Sequence, residues 1–156
     1  MTKSNKSTVS LHLIVKDEVE AVAQLAGAAS RVFDAIYLTV SDQKAYKELK
    51  KLPDDIVHVD YRQWNDRFDD ARNHNWGLGK HHDYSMWLDA DDSFDFSQMP
   101  KLISYMEDYD AVYLPYHYAF DENSKKQKRM YQQSKPHIPS RPKRSKIKKN
   151  NQWRIQ

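Results

Sequence analysis

The run Tyr84-Ser85-Met86-Trp87-Leu88 passes directly into Asp89-Ala90-Asp91-Asp92, three carboxylates in four residues. A continuous, mainly apolar run of this length reads as a strand buried on both faces of a parallel sheet. Parallel strands need long crossover connections, usually helices. The feature therefore demands that the rest of the chain alternate strand and helix.

The chain does alternate. Val9 to Val15 is predicted as a strand that begins in alternation and turns wholly apolar. Val19, Val22, Ala23, Ala26 and Ala29 recur at helical spacing. Ala35 to Val40 is a second strand, ended by Ser41-Asp42, and Asp42 to Leu52 a short helix stopped near Pro53. Ile56 to Val59 is a third strand. Asp66 to Gly79 is a helix capped by Asp66 and ended by Gly77 and Gly79. After the carboxylates, Asp95 or Ser97 caps a helix whose inward residues are Leu102, Ile103 and Met106. Ala111 to Tyr118 is a further strand. The order predicts an α/β fold with a mostly parallel sheet flanked by helices.

With 156 residues, the chain fits one domain. It has no cysteine, which rules out disulfides and thiolate metal sites. The N-terminus, residues 1–8, is polar and is expected to be disordered. No run approaches the roughly 18 apolar residues of a membrane span. The reading is a soluble, cytoplasmic protein, with docking to the inner membrane surface left open. Charge divides the chain: all 22 acidic residues precede residue 124, whereas residues 124–156 carry 12 of the 25 Lys and Arg. The segments 9–123 and 124–156 are thus read as an acidic core and a basic extension. Arg129-Met130-Tyr131 and Ser145-Lys146-Ile147 are candidate edge strands within that extension. Its charge suits a solvated tail, donor phosphates, an anionic membrane surface or nucleic acid; with no nucleic-acid module in the sequence, the last is disfavoured.

Ligands of open α/β sheets sit beyond the carboxyl ends of the strands, where Asp89, Asp91 and Asp92 fall. Clustered carboxylates repel unless a cation or hydrogen-bond donors neutralise them. Oxygen ligands suit Mg²⁺ or Mn²⁺, which keeps waters and bridges to substrate phosphates. The competing reading is a solvated turn, with Asp92 capping the following helix. The preceding strand favours metal binding, with Asp91 as ligand and Asp89 near the metal or a ribose. Arg72, one position from Ala71 and four from Phe68, falls at the border of a buried face. From there it can reach phosphate or pair with a nearby Asp. His81-His82-Asp83 reads as a solvated loop rather than a metal site, since adjacent loop histidines point in different directions. His117 either faces the cleft or packs.

The segment Trp64 … Phe68-Asp69-Asp70-Ala71-Arg72-Asn73 … Tyr84-Ser85-Met86-Trp87-Leu88-Asp89-Ala90-Asp91-Asp92 resembles family 2 glycosyltransferases. Ile14-Val15-Lys16-Asp17-Glu18 is similar to that family's first strand and nucleotide loop. The likeness covers about residues 9–120. It implies a GT-A fold, which is Rossmann-like, a nucleoside diphosphate sugar as donor (a UDP-sugar foremost), an acceptor and a divalent metal, Mn²⁺ or Mg²⁺. By the resemblance, Val15, Lys16 and Glu18 line the nucleotide, and Arg72 reaches the nucleotide or diphosphate. Asp89 contacts the ribose or a metal-bound water, and Asp91 the metal. The family's nucleobase-side Asp at the end of the second strand corresponds to Ser41 or Asp42. Longer relatives continue past a basic strand ending in Trp-Arg, here Trp153-Arg154. The chain is therefore expected to be a donor-binding part of a glycosyltransferase, with self-association through an uncovered face. The rival readings are a non-catalytic nucleotide-sugar-binding domain and a nucleic-acid-binding protein.

Overall fold

A computed structural model describes residues 7–106 together with 108, 109, 112 and 114. The expected strand over 111–118 lies outside this set apart from Val112 and Leu114, as do His117, the whole of 124–156 and most of the expected disordered segment 1–8. Thr8 lies within it and already joins the fold: its carbonyl accepts from the Tyr84 N–H and its own N–H donates to Asp83.

Four parallel strands form one sheet in the order β3-β2-β1-β4. They are β1 (Val9–Val15), β2 (Ala35–Val40), β3 (Val57–Tyr61) and β4 (Tyr84–Trp87). Helices α1 (Val19–Ala29), α2 (Gln43–Leu49) and α3 (Phe68–Leu78) connect them, and α4 (Met99–Met106) follows a single 3₁₀ turn. The α/β architecture with its parallel sheet is the one the alternation predicts.

Register assigns the faces. Leu11, Ile36, Val57 and Met86 form one transverse row, and His12, Tyr37, His58 and Trp87 the next. Because side chains alternate along a strand, the two rows lie on opposite faces. The first face meets Val22, Leu25, Ala26 and Ala29 of α1, Ala45 and Leu49 of α2, and Met99, Leu102 and Met106 of α4 in one apolar core. The second face lies under α3, where Trp76 stacks on His12 at 5.4 Å.

Several boundaries differ from the sequence reading for physical reasons. Asp66 does not cap α3. It takes a left-handed φ of 60° and its carboxylate accepts from the Trp64 indole, so the helix starts after Arg67. Asp42 does cap α2, through the Ala45 N–H at 2.8 Å. Asp95 rather than Ser97 makes the turn before α4, accepting from the Ser97 N–H. Strand β4 is not buried on both faces: it is one of the two edge strands of the described sheet, and its Trp87 is 49% exposed.

Candidate active site

All four strands run the same way, so the ends of β1, β2, β3 and β4 gather at one edge. The strand order turns back between β1 and β4, since β2 and β3 lie on one side of β1 and β4 on the other. A crevice opens at such a reversal and is where ligands of open α/β sheets bind. Asp89 to Asp92 leave β4 at this place, beside the loop that leaves β1.

The carboxylate turn relieves its own repulsion by giving each acid a different environment. Asp92 Oδ2 accepts the Asp89 N–H at 2.9 Å, and the Asp92 N–H donates back to the Asp89 carbonyl at 3.0 Å. Asp92 thus closes the turn and does not cap the next helix, a task that falls to Asp95. Asp89 Oδ1 accepts from Arg72 Nη2 at 2.7 Å. Asp91 stays exposed, while Leu88 and Ala90 on either side of Asp89 are buried and anchor the turn.

Arg72 is deeper than the border position its spacing suggests, at 2% exposed. Helix α3 turns Ala71, Arg72 and Asn75 toward the sheet, and leaves Phe68, expected inside, 55% exposed. The guanidinium lies against the Phe68 ring, its Cζ 5.2 Å from the centroid. Its Nη1 is buried with no hydrogen-bond partner among the described residues. A buried donor left unmatched costs about 1–3 kcal/mol. Both readings of Arg72 therefore bear on this geometry: it pairs with an Asp, and it holds a second donor in reserve.

The β1 loop sits beside this pair. Val15 is buried at the strand end, and its carbonyl accepts from the Ser41 N–H at 2.9 Å. Lys16 is exposed. Glu18 Oε2 accepts the N–H groups of Lys16 at 2.9 Å and Asp17 at 3.2 Å, so this carboxylate shapes its own loop. Asp42 lies on the same edge with one oxygen in the α2 cap. Of the seven residues singled out, Arg72 and Asp89 touch; Val15, Lys16, Glu18, Asp42 and Asp91 share the edge with them.

Among the described residues, no group of three His, Cys, Asp or Glu side chains is placed to hold a metal ion. Mg²⁺ and Mn²⁺ need no such cage. They are commonly held by one or two carboxylates plus substrate phosphates, and the exposed Asp91 with the partly exposed Asp89 fits a cation that arrives with a diphosphate.

Two networks escape apolar periodicity. At the end of β3, Asp60 Oδ2 meets His74 Nε2 at 2.6 Å, Arg62 reaches both His74 and Asp70, and Asn65 donates to Asp70. The Arg62 hydrogen bond, helped by Asn65, holds the Asp70 carboxyl below its usual range. Asp70 and His74 stand four apart on α3, a spacing that announces a shared helix face. Beneath α3, Asn75 Nδ2 lies within 3.1 Å of Leu13 O, Tyr37 O and Thr39 Oγ1. His12 Nδ1 faces Asn75 O, and its Nε2 faces Ser10 Oγ at 2.8 Å. Desolvation by burial pushes His12 down from 6.5 to about 4. His81 and His82 do not point apart, as a loop reading suggests: both Nε2 atoms face the Tyr37 hydroxyl, at 3.3 and 3.1 Å.

Comparison with known proteins adds an independent line. No curated protein matches the chain. Residues 39–155 match the family described as Glycosyl transferase family 2. The match begins in β2 and takes in Asp42, Arg72, Asp89 and Asp91; Val15, Lys16 and Glu18 precede it. Spanning most of the chain, and agreeing with a parallel sheet whose Asp-x-Asp turn stands at the strand-order reversal, it shows that the chain belongs to glycosyltransferase family 2 and is a glycosyltransferase-like enzyme of GT-A-like α/β fold.

Proposed function

We propose that this edge binds a nucleoside diphosphate sugar, foremost a UDP-sugar, together with Mn²⁺ or Mg²⁺, for transfer of the sugar to an acceptor hydroxyl. The observation that carries the reading is the Arg72–Asp89 contact, with a buried, unmatched guanidinium nitrogen on one side and the exposed Asp91 on the other. In this reading Asp91 holds the cation, and Asp89, fixed by Arg72, contacts the ribose or a metal-bound water. Arg72 offers its spare donor to the nucleotide or diphosphate. Val15, Lys16 and Glu18 line the nucleotide from the β1 loop, and Asp42 stands on the nucleobase side. A bound divalent cation supplies Lewis-acid stabilisation of charge on the departing diphosphate. Among the described residues no helix is long and apolar enough to cross a membrane, and peripheral contact with an anionic surface would fall to the basic residues after 123.

The test is calorimetry with UDP and Mn²⁺, set beside single-stranded DNA. Saturable, Mn²⁺-dependent UDP binding supports the reading; binding of DNA alone refutes it. Asp91→Asn should sharply weaken metal-dependent UDP binding with the fold intact, and equal affinity in both proteins would remove the metal role. Arg72→Ala should weaken UDP more than uridine, by about 1.5–3 kcal/mol for a charge-assisted contact. Equal losses for the two ligands would mean that Arg72 does not touch phosphate.

A further inference from the structure

Two large aromatic side chains stand exposed where the chain leaves β3 and enters α3: Trp64 at 43% and Phe68 at 55%. Neither is loose. The indole Nε1 donates to Asp66 Oδ1 at 3.0 Å, and Asp66 takes the left-handed φ of 60° that bends the chain there. A non-glycine residue rarely adopts that region, and Asp tolerates it better than most. Phe68 has the Arg72 guanidinium packed against it. The two rings stand 6.3 Å apart at 72°, which makes one flat face and one upright wall.

Resting on the donor-binding reading above, we propose that Trp64 and Phe68 form the shelf on which the nucleobase of the donor stacks. The order of groups carries this assignment. Along the edge, Asp91 is followed by Asp89, which contacts Arg72, which contacts Phe68, which contacts Trp64. A nucleotide with its diphosphate at Asp91 and its ribose at Asp89 continues in the same direction to its base. The sugar lies on the opposite side of the diphosphate, away from the shelf. The unmatched Arg72 Nη1 lies buried on this same guanidinium and is the spare donor assigned above to the nucleotide or diphosphate. Stacking on an aromatic face accepts any base, so the shelf contributes affinity and leaves the choice of base to polar groups.

The experiment is calorimetry in the presence of Mn²⁺ with UDP, UDP-glucose and inorganic pyrophosphate. It uses the wild type, Trp64→Ala, Phe68→Ala and the ring-preserving Phe68→Tyr, each checked for an unchanged thermal transition. Both alanine variants should weaken UDP and UDP-glucose alike, by roughly tenfold or more, with pyrophosphate unchanged and Phe68→Tyr close to wild type. Unchanged UDP affinity overturns the shelf. So does a loss confined to UDP-glucose, which would make it a sugar platform, or an equal loss for pyrophosphate, which would make it a support for the whole site. A wild-type chain that binds pyrophosphate but not UDP refutes the shelf and leaves a diphosphate site. One that binds none of the three refutes the donor reading together with the shelf.

Discussion

The two faces of the sheet are built on different principles. Toward α1, α2 and α4, the sheet presents Leu11, Leu13, Ile36, Leu38, Val57 and Val59, all apolar and buried. Toward α3, every buried polar residue that the described part of the chain possesses is gathered: Ser10, His12, Thr39, Arg72 and Asn75. The apolar face needs only shape and volume. The polar face fixes the position of α3 through directional bonds, and among the described residues only Arg72 Nη1 and Asn75 Oδ1 are buried side-chain atoms without a partner. That helix carries Arg72 to Asp89 and Phe68 to the edge. The difference teaches that the fold is stabilised mainly from one side while the site is aligned from the other.

The sharpest way to test this division is to cut into both faces one residue apart. Leu38 is fully buried on the apolar side, and Leu38→Ala should cost about 2–5 kcal/mol, from lost transfer energy plus the cavity left behind. Thr39 on the α3 side is one of three acceptors around Asn75 Nδ2. That amide has only two hydrogens, and the carbonyls of Leu13 and Tyr37 remain for them in Thr39→Val. The loss there should be about 1 kcal/mol. Urea denaturation of the two variants measures both. Equal losses would break the comparison.

This division also explains what could be read from the sequence. The bounds of β1, β2 and α1 follow from the apolar side, where alternation and helical spacing report burial directly. The orientation of α3 does not. A search for apolar periodicity takes Phe68 as its inward residue, whereas the inward stripe is Ala71, Arg72 and Asn75, held by polar contacts to residues far away in the chain. The Asp-x-Asp turn was legible because a continuous, mainly apolar run precedes it. The pairing of Asp89 with Arg72, 17 residues apart, depends on how α3 crosses the sheet, and no local pattern records that.

A second effect, smaller than the Leu38 cavity at its upper end, separates the faces by pH. His12 is the buried imidazole of the polar face, and burial lowers it from 6.5 to about 4. Between those values the unfolded chain binds a proton that the folded chain refuses, so acid favours unfolding. Stability should fall as the pH drops from about 6.5 to about 4, by at most about 3 kcal/mol from this group, and the contribution should vanish above pH 7. Among the described residues, the buried side chains of the apolar face include no imidazole or carboxylate. His12→Gln, which keeps a hydrogen-bonding side chain and removes the titration, should flatten the stability curve in that window. An equally steep curve in the variant would place the acid sensitivity elsewhere.

Two glycine substitutions should move stability in opposite directions. Gly79 ends α3 and reads from the sequence as a left-handed helix stop, but its φ of −98° is open to any residue. What requires glycine is the close approach of α3 to the polar face. A Cβ at this position would lie 2.6 Å from His12 Cε1 and Nε2 and 3.0 Å from Ser10 Oγ. The ring cannot swing aside without giving up Ser10 Oγ and Asn75 O. Overpacking of this kind costs about 1–3 kcal/mol, and Gly79→Ala should be destabilising by that amount. Gly27 sits inside α1 with nothing within 4 Å of the same construction. Gly27→Ala removes backbone freedom from the unfolded chain at no steric cost, and should stabilise by about 0.4–1 kcal/mol. Thermal melts of the two alanine variants should therefore move in opposite directions. If Gly79→Ala melts at or above the wild-type temperature, α3 does not press on His12 as closely as the structure shows, and the polar face has slack that the alignment of Arg72 on Asp89 could not tolerate.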